Sequence, residues 1–244
     1  MKKKSLNPSI KIVDDFNVQR NEGVQLDLDW VMSSQANTSA IERRTSTHST
    51  RRSVKKNYQA AWLLRAISCI DLTTLAGDDT PGRVARICHK ARTPVRNDIL
   101  DYLQIPKPFS VAAVCVYPEL IRTAKSALEQ SDIGLASVAT GFPTGLVPER
   151  TKISEINAAI RNGASEIDVV INRNKVLTAN WVSLYNDIRA YKKACGLLHL
   201  KVIIGAGDLG TLRNVVRASW VAMLAGADFI KTSTGKEPTN ATLP

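Results

Sequence analysis

From Tyr58 onward, short β-branched or apolar runs alternate with longer amphipathic stretches, and this alternation constrains the fold more than any single motif. The strands it predicts are Ile67–Thr73, Ser110–Tyr117, Leu135–Thr140, Glu166–Asn172, His199–Ile204 and Asp228–Thr232. Between them the apolar spacing is helical, as over Trp181–Ala194 and Leu209–Ala225, where Leu212, Val215, Val216 and Trp220 recur near one face. Strands alternating with helices form βαβ units, and such units build a parallel sheet. A doubly wound open sheet gathers its ligand residues at one switch point, whereas a (β/α)₈ barrel presents them after every strand. Here polar residues close nearly every run: Asp71 to Thr74, Tyr117, Thr140-Gly141, Asp168 with Asn172, Gly205 to Asp208, and Lys231 to Lys236. The expectation is an α/β chain of the TIM (β/α)₈ barrel type. A closed barrel needs eight strands; six are found, so the barrel is expected to be incomplete.

Residues 1–53 read as a polar, largely irregular N-terminal extension, and residues 54–244 as the partial barrel. Within the extension, Val24-Gln25-Leu26-Asp27-Leu28-Asp29 alternates with period two ahead of Trp30-Val31, and reads as a segment docking on the main domain. The Ser/Thr-rich stretch from Ser33 to Thr50 reads as a mobile linker. Met1-Lys2-Lys3-Lys4 is basic but no apolar region follows it, and Asp14, Asp15 and Glu22 argue against a transit peptide. No apolar run approaches the roughly 20 residues that span a bilayer. The four cysteines are widely spaced without a CxxC pair, which points to a reducing, cytoplasmic compartment and to no zinc site. Net charge is +11, part of it in Arg43-Arg44 and in the run Arg51 to Lys56. These runs suit either an anionic partner such as nucleic acid or a solvated helix face. The absence of interleaved aromatics favours the solvated face.

Chemistry is concentrated in Phe229-Ile230-Lys231-Thr232-Ser233-Thr234-Gly235-Lys236. An apolar strand there delivers a lysine among hydroxyls, and desolvation lowers a lysine pKa toward the neutral amine that attacks carbonyls. The alternative is a lysine snorkelling from a strand end to solvent. Alternation turns Phe229 and Ser233 inward with Lys231 and sends Ile230 toward the helices. Asp168 lies in the apolar run Glu166-Ile167-Asp168-Val169-Val170, where a carboxylate needs a partner or a task. If Glu166 pairs with Lys201 on the next strand, Asp168 is left to move protons as a general acid/base; otherwise it satisfies backbone or hydroxyl groups. Asp71 and Thr73 could orient a sugar hydroxyl or cap a helix. Cys115, in Ala113-Val114-Cys115-Val116-Tyr117, suits a small core position better than a nucleophile. Gly141-Phe142-Pro143-Thr144-Gly145 and Gly205-Ala206-Gly207 permit tight turns, but neither matches a P-loop.

Five segments, in order, resemble the deoxyribose-phosphate aldolases, class I (Schiff-base) enzymes on a TIM barrel. They are Ile70 to Leu75, Ala113 to Pro118, Ser137-Val138-Ala139-Thr140-Gly141-Phe142-Pro143, Glu166 to Val170, and Phe229 to Lys236. Gln59 to Leu64, and more weakly Leu26 to Trp30, look like the family's eukaryotic branch. The resemblance implies cleavage of 2-deoxy-D-ribose 5-phosphate into glyceraldehyde 3-phosphate and acetaldehyde, in deoxyribonucleotide catabolism. It implies a phosphorylated sugar as substrate, no cofactor, a cytoplasmic protein, and a homo-oligomer as one assembly open to it. Lys231 matches the Schiff-base lysine, Asp168 the proton-relay carboxylate and Lys201 a lysine close to it. Thr234, Gly235 and Lys236 match positions lining the substrate pocket, with Asp71, Thr73 and Cys115 as further candidates there. Two departures stand out. Gly205-Ala206-Gly207-Asp208 replaces a Thr-Gly-Glu type of sequence. The family's seventh strand, with a second lysine in a Lys-Pro-Ala-Gly-Gly motif, and its eighth-strand loop have no counterpart. The reading is therefore of a C-terminally truncated aldolase, with an inactive remnant or interaction protein as the alternative.

Overall fold

A computed structural model describes residues 20–51 and 54–244. Six parallel strands pair strictly in chain order: β1 (Asp71–Thr73), β2 (Ala113–Val116), β3 (Gly134–Ala139), β4 (Glu166–Val170), β5 (His199–Ile203) and β6 (Phe229–Lys231). The helices are α1 (Leu28–Ser33), α2 (Thr38–Thr45), α3 (Lys56–Ser68), α4 (Pro81–Arg92), α5 (Asn97–Leu103), α6 (Ile121–Ala127), α7 (Glu149–Asn162), α8 (Arg173–Leu177), α9 (Trp181–Cys195) and α10 (Leu212–Leu224). The sheet curls into a half-barrel. Lys201 on β5 reaches across its interior to Asp71 on β1.

Local chemistry sets the helix ends. Thr80 accepts the Arg83 amide and Pro81 opens α4, while Asn180 and Thr211 cap α9 and α10 through their side chains. Gly163, at φ 108°, closes α7 in the left-handed region. Alternation along the strands divides the molecule into two apolar regions. Val114, Val116, Leu135, Ala139, Ile167, Val169, Leu200 and Val202 face outward into one large core with the helices, and Ile230 packs on it. The inner face holds a smaller cluster of Leu75, Cys115, Ala136 and Val138, with Tyr117 and Phe142 against it. The same face also carries the buried Val170 and Ile203 beside Glu166, Asp168, Lys201 and Lys231. Among the described residues no helix is long and apolar enough to cross a membrane.

Three expectations are corrected. The first strand does not begin at Ile67: Ile67 and Ser68 end α3, and Cys69 caps it by donating to Ala66 and Ile67. Val24–Asp29 forms no strand, because Asp27 accepts the Trp30 amide and starts α1 instead. This segment does dock on the barrel. Val24 donates to the Leu224 carbonyl at 2.8 Å, Tyr185 donates to Val24, and Val31 is fully buried. The Ser/Thr-rich stretch is not irregular over its middle but helical: Asn37 caps α2, and Thr45 folds its hydroxyl back on the Ile41 carbonyl. Arg43 and Arg44 lie in the last turn of α2, exposed, where a cation suits the helix dipole. Met1–Lys4, Asp14, Asp15 and Arg52-Ser53 lie outside the described residues.

Asp228 ties the N-terminal segment to the barrel. Its side chain is fully buried and accepts from the Asn21 amide at 2.7 Å, the Leu200 amide at 2.8 Å and Lys192 Nζ at 2.8 Å. Asp228→Ala strands all three donors, so a loss of about 2–3 kcal/mol is expected, read from urea unfolding midpoints. A loss below half that would show that the three donors find other partners.

Candidate active site

The register of β4, β5 and β6 builds the site. Asp168 stands opposite Lys201, and Ile203 opposite Lys231, so Lys231 lies one inward-facing position nearer the carboxyl ends of the strands. Lys231 Nζ donates to Asp168 Oδ2 at 2.7 Å, and Lys201 Nζ lies 3.5 Å from Asp168 Oδ1. Lys201 also pairs with Glu166 at 2.6 Å and with Asp71. The Glu166–Lys201 pair expected from strand alternation is therefore present. Asp168, fully buried, stands between the two lysines.

The cluster carries three carboxylates (Asp71, Glu166, Asp168) against two ammonium groups (Lys201, Lys231), a formal excess of one negative charge. That balance reverses the expectation for Lys231. Burial, the largest single influence, pulls its pKa down as anticipated, but the Asp168 charge, the neighbouring Cys115 and the Asp168 hydrogen bond together raise it above the ordinary lysine value. Burial likewise works to lower Lys201, and Asp168, Glu166 and Asp71 together raise it. In the resting site Lys231 is an ammonium ion. An ammonium ion is no nucleophile, so Lys231 could attack a carbonyl only after giving up a proton, and the carboxylate it touches is Asp168.

Above the lysine lies a cleft of about 310 Å³, with Thr73, Phe142, Lys231, Ser233, Thr234 and Gly235 in its lining. Four of the residues predicted from sequence thus share one cavity: Lys231, Thr73, Thr234 and Gly235. Asp168 supports Lys231 from below. The other three stand elsewhere. Asp71 is turned to Lys201 instead of facing the cleft. Cys115 is fully buried beneath the site, with Sγ 3.7 Å from Asp168 Oδ2; burial, and then the Asp168 charge, push its thiol up and keep it neutral. Lys236 is exposed at the rim, its amide donating to Thr234 Oγ1 at 3.1 Å.

The glycine-rich loops serve close packing. The Gly141 amide is already taken by Glu155 Oε2 at 2.7 Å, and a Cβ on Gly145 would sit 2.5 Å from the Ile171 carbonyl oxygen. Sequence reasoning missed Arg173 and Glu237, which join the loops around the cleft. Their only signals were polar residues three positions past β4 and just past the Lys231 segment.

With this geometry in view, the similarities to known proteins become specific. Residues 65–243 match the family model described as DeoC/LacD family aldolase. The chain belongs to the DeoC/LacD aldolase family. Among relatives of this aldolase family, the deoxyribose-phosphate aldolase of Bos taurus is 53% identical over 226 residues, covering 91% of this chain and 71% of the relative. The Homo sapiens enzyme of the same name is 52% identical, over 92% of this chain and 71% of its own. A solved Coccidioides immitis structure, provisionally assigned as a deoxyribose-phosphate aldolase, superposes with a TM-score of 0.64 at 27% identity, over 86% of this chain and 77% of that one. The deoxyribose phosphate aldolase of Aeropyrum pernix, described as a unique tetramer, gives a TM-score of 0.56 at 25% identity, over 71% of this chain and 66% of that one. The six-stranded half-barrel matches part of the barrel of these solved aldolases.

Proposed function

We propose that this chain is a lyase acting on 2-deoxy-D-ribose 5-phosphate through an imine on Lys231. The observation that carries this reading is Lys231 Nζ at 2.7 Å from the fully buried Asp168, on the floor of a cleft. A proton passes from Lys231 to Asp168, and the free amine attacks C1 of the open-chain sugar. Loss of water from the carbinolamine leaves a protonated imine. The C3 hydroxyl then loses its proton and the C2–C3 bond breaks. Its electron pair moves to C2 as an enamine, and C3 departs as the aldehyde carbon of glyceraldehyde 3-phosphate. Protonation at C2 and hydrolysis of the imine release acetaldehyde and restore the amine. Asp168, beside the nitrogen and flanked by Lys201, is placed to hold and return protons in these steps. Thr73, Thr234 and Gly235 offer polar contacts along the cleft for the rest of the sugar phosphate. A reducing cytoplasmic setting fits four free cysteines, three of them buried, and a homo-oligomer is the assembly proposed.

Incubation with acetaldehyde followed by borohydride tests the reading. An N-ethyl adduct mapped by peptide mass spectrometry to Lys231 is expected. A folded sample with no adduct, or with the adduct on Lys201, would overturn it.

A further inference from the structure

Four loops follow strands β3 to β6, and one side chain touches three of them from the fourth. Arg173 is the first residue of α8, just beyond β4, and its side chain is mostly buried. Its Nη1 donates to the Pro143 carbonyl, beyond β3, at 3.3 Å. Its Nε lies 3.2 Å from Asp208 Oδ2, beyond β5. Its Nη1 also lies 3.6 Å from Glu237 Oε1, beyond β6. The Glu237 side chain is only 2% exposed and has a second task. Both its oxygens accept the Thr234 amide, at 3.0 and 3.2 Å. Thr234 Oγ1 in turn accepts the Lys236 amide, which closes a turn around Gly235 at φ 81°.

The glycines beyond β5 make room for this arrangement. A Cβ on Gly205 would lie 2.8 Å from Arg173 Cδ and 3.3 Å from Glu237 Oε1. A Cβ on Gly207 would lie 1.8 Å from the Thr239 carbonyl oxygen, so the loops beyond β5 and β6 meet backbone to backbone there. Asp208, which closes this Gly-Ala-Gly-Asp loop, is one of the two acids held by Arg173.

We infer that Arg173 is a positioning residue for the substrate cleft: through Glu237 it holds the Thr234–Lys236 turn at a fixed height beside Lys231. A guanidinium suits the task because its planar fork addresses Asp208 through Nε and Glu237 through Nη1 at once; an ammonium group cannot reproduce that geometry. Without Arg173, Glu237 is a buried carboxylate facing one amide, and such a group seeks water. The Thr234 amide then loses its charged acceptor and the turn opens. Thr234 and Gly235 line the cleft, whereas acetaldehyde needs only Lys231 at its floor. The clamp therefore acts on binding of the full sugar phosphate more than on imine formation with the small aldehyde. This consequence rests on the aldolase reading; the clamp itself does not.

The test compares the parent chain with Arg173→Ala, Arg173→Lys, Glu237→Gln and Gly205→Ala. It measures amide hydrogen exchange over residues 232–241, KM and kcat with 2-deoxy-D-ribose 5-phosphate, and acetaldehyde trapping on Lys231. Arg173→Ala is expected to speed exchange at Thr234 about tenfold and to raise KM about tenfold, as loss of a charge-assisted hydrogen bond requires. The rate of acetaldehyde trapping should stay within about twofold of the parent. Arg173→Lys should not restore exchange, and Gly205→Ala, which crowds the clamp without removing a charge, should raise it. Parent-like exchange in both Arg173→Ala and Glu237→Gln overturns the inference, as does full rescue by lysine. A parallel fall in trapping and in turnover, with KM unchanged, also overturns it. If the parent itself forms no adduct, the aldolase reading fails, and exchange at Thr234 still decides whether the clamp exists. Should Arg173→Ala fail to fold, Glu237→Gln carries the same exchange measurement.

Discussion

Lys231→Met is expected to abolish the borohydride-trapped adduct and to cut turnover of 2-deoxy-D-ribose 5-phosphate by roughly 10⁴-fold or more, because the covalent step loses its nucleophile. The cluster limits any substitute. Lys201 is the other amine nearby, but it is almost completely buried and its ammonium is held by Glu166, Asp71 and Asp168. Forming an imine there would mean removing a proton that three carboxylates retain. Methionine reproduces the unbranched apolar stem of lysine without its amine, so the fold should persist. Asp168 keeps Lys201 as its remaining counter-charge at 3.5 Å. The check is parallel: trapping and turnover on one side, far-ultraviolet circular dichroism and a urea midpoint on the other. Retention of a trapped adduct in a folded Lys231→Met sample would move the nucleophile elsewhere.

How far such outcomes could be read from the sequence depends on what each feature rests on. The parallel sheet was legible because hydrophobic period and length are local properties. β2, β4, β5 and β6 each fall within predicted runs, β3 begins one residue before its run, and α9 ends within one residue of its predicted end. Errors arose where local preference met a tertiary contact. Val24–Asp29 has strand alternation, but Val24 bonds to the Leu224 backbone carbonyl of α10 and the Tyr185 hydroxyl of α9 instead of a partner strand, and Asp27 is a better helix cap than a ladder residue. Ser33–Thr50 has the composition of a linker, yet its hydroxyls bond to the preceding turn, and Asn37 supplies the cap that nucleates α2.

The site shows the same division. Placing Lys231, Asp168 and Lys201 on one face needed only strand alternation and neighbouring register. The direction of the Lys231 pKa needed more. It depends on which carboxylate each lysine takes, and Asp71 enters that balance from the far side of the half-barrel, across an interior no local pattern describes. Desolvation argued alone gave the wrong sign, since a buried lysine that brings its own counter-ion is stabilised in its charged form. Arg173 and Glu237 were harder still. Each looks like an ordinary polar residue after a strand, and their meeting is a property of loops brought together by barrel curvature.

Asp168→Asn separates the two tasks assigned to the carboxylate, and its outcomes move in opposite directions. Asparagine preserves the shape and an acceptor oxygen for Lys231 but removes the charge. In the parent, burial lowers the Lys231 pKa, and Asp168 together with Cys115 more than reverses that. Removing the Asp168 charge leaves burial, the largest single influence, and the Lys201 ammonium, both of which lower it, against Cys115, which raises it. The pKa of Lys231 should therefore fall, and a larger share of the amine is neutral at pH 7. The acidic limb of acetaldehyde trapping is expected to move down by about one pH unit or more. Turnover of the sugar phosphate should fall instead, by roughly 10²- to 10⁴-fold, since asparagine can neither take the proton from the amine nor return one to the enamine. Asp71 and Glu166 still balance Lys201, so the variant does not strand that ammonium. Faster trapping at low pH together with slower turnover assigns proton transfer to Asp168. A trapping limb that stays in place, or moves up, would mean that the Asp168 charge does not govern Lys231, and the reading of Asp168 as its proton acceptor fails with it.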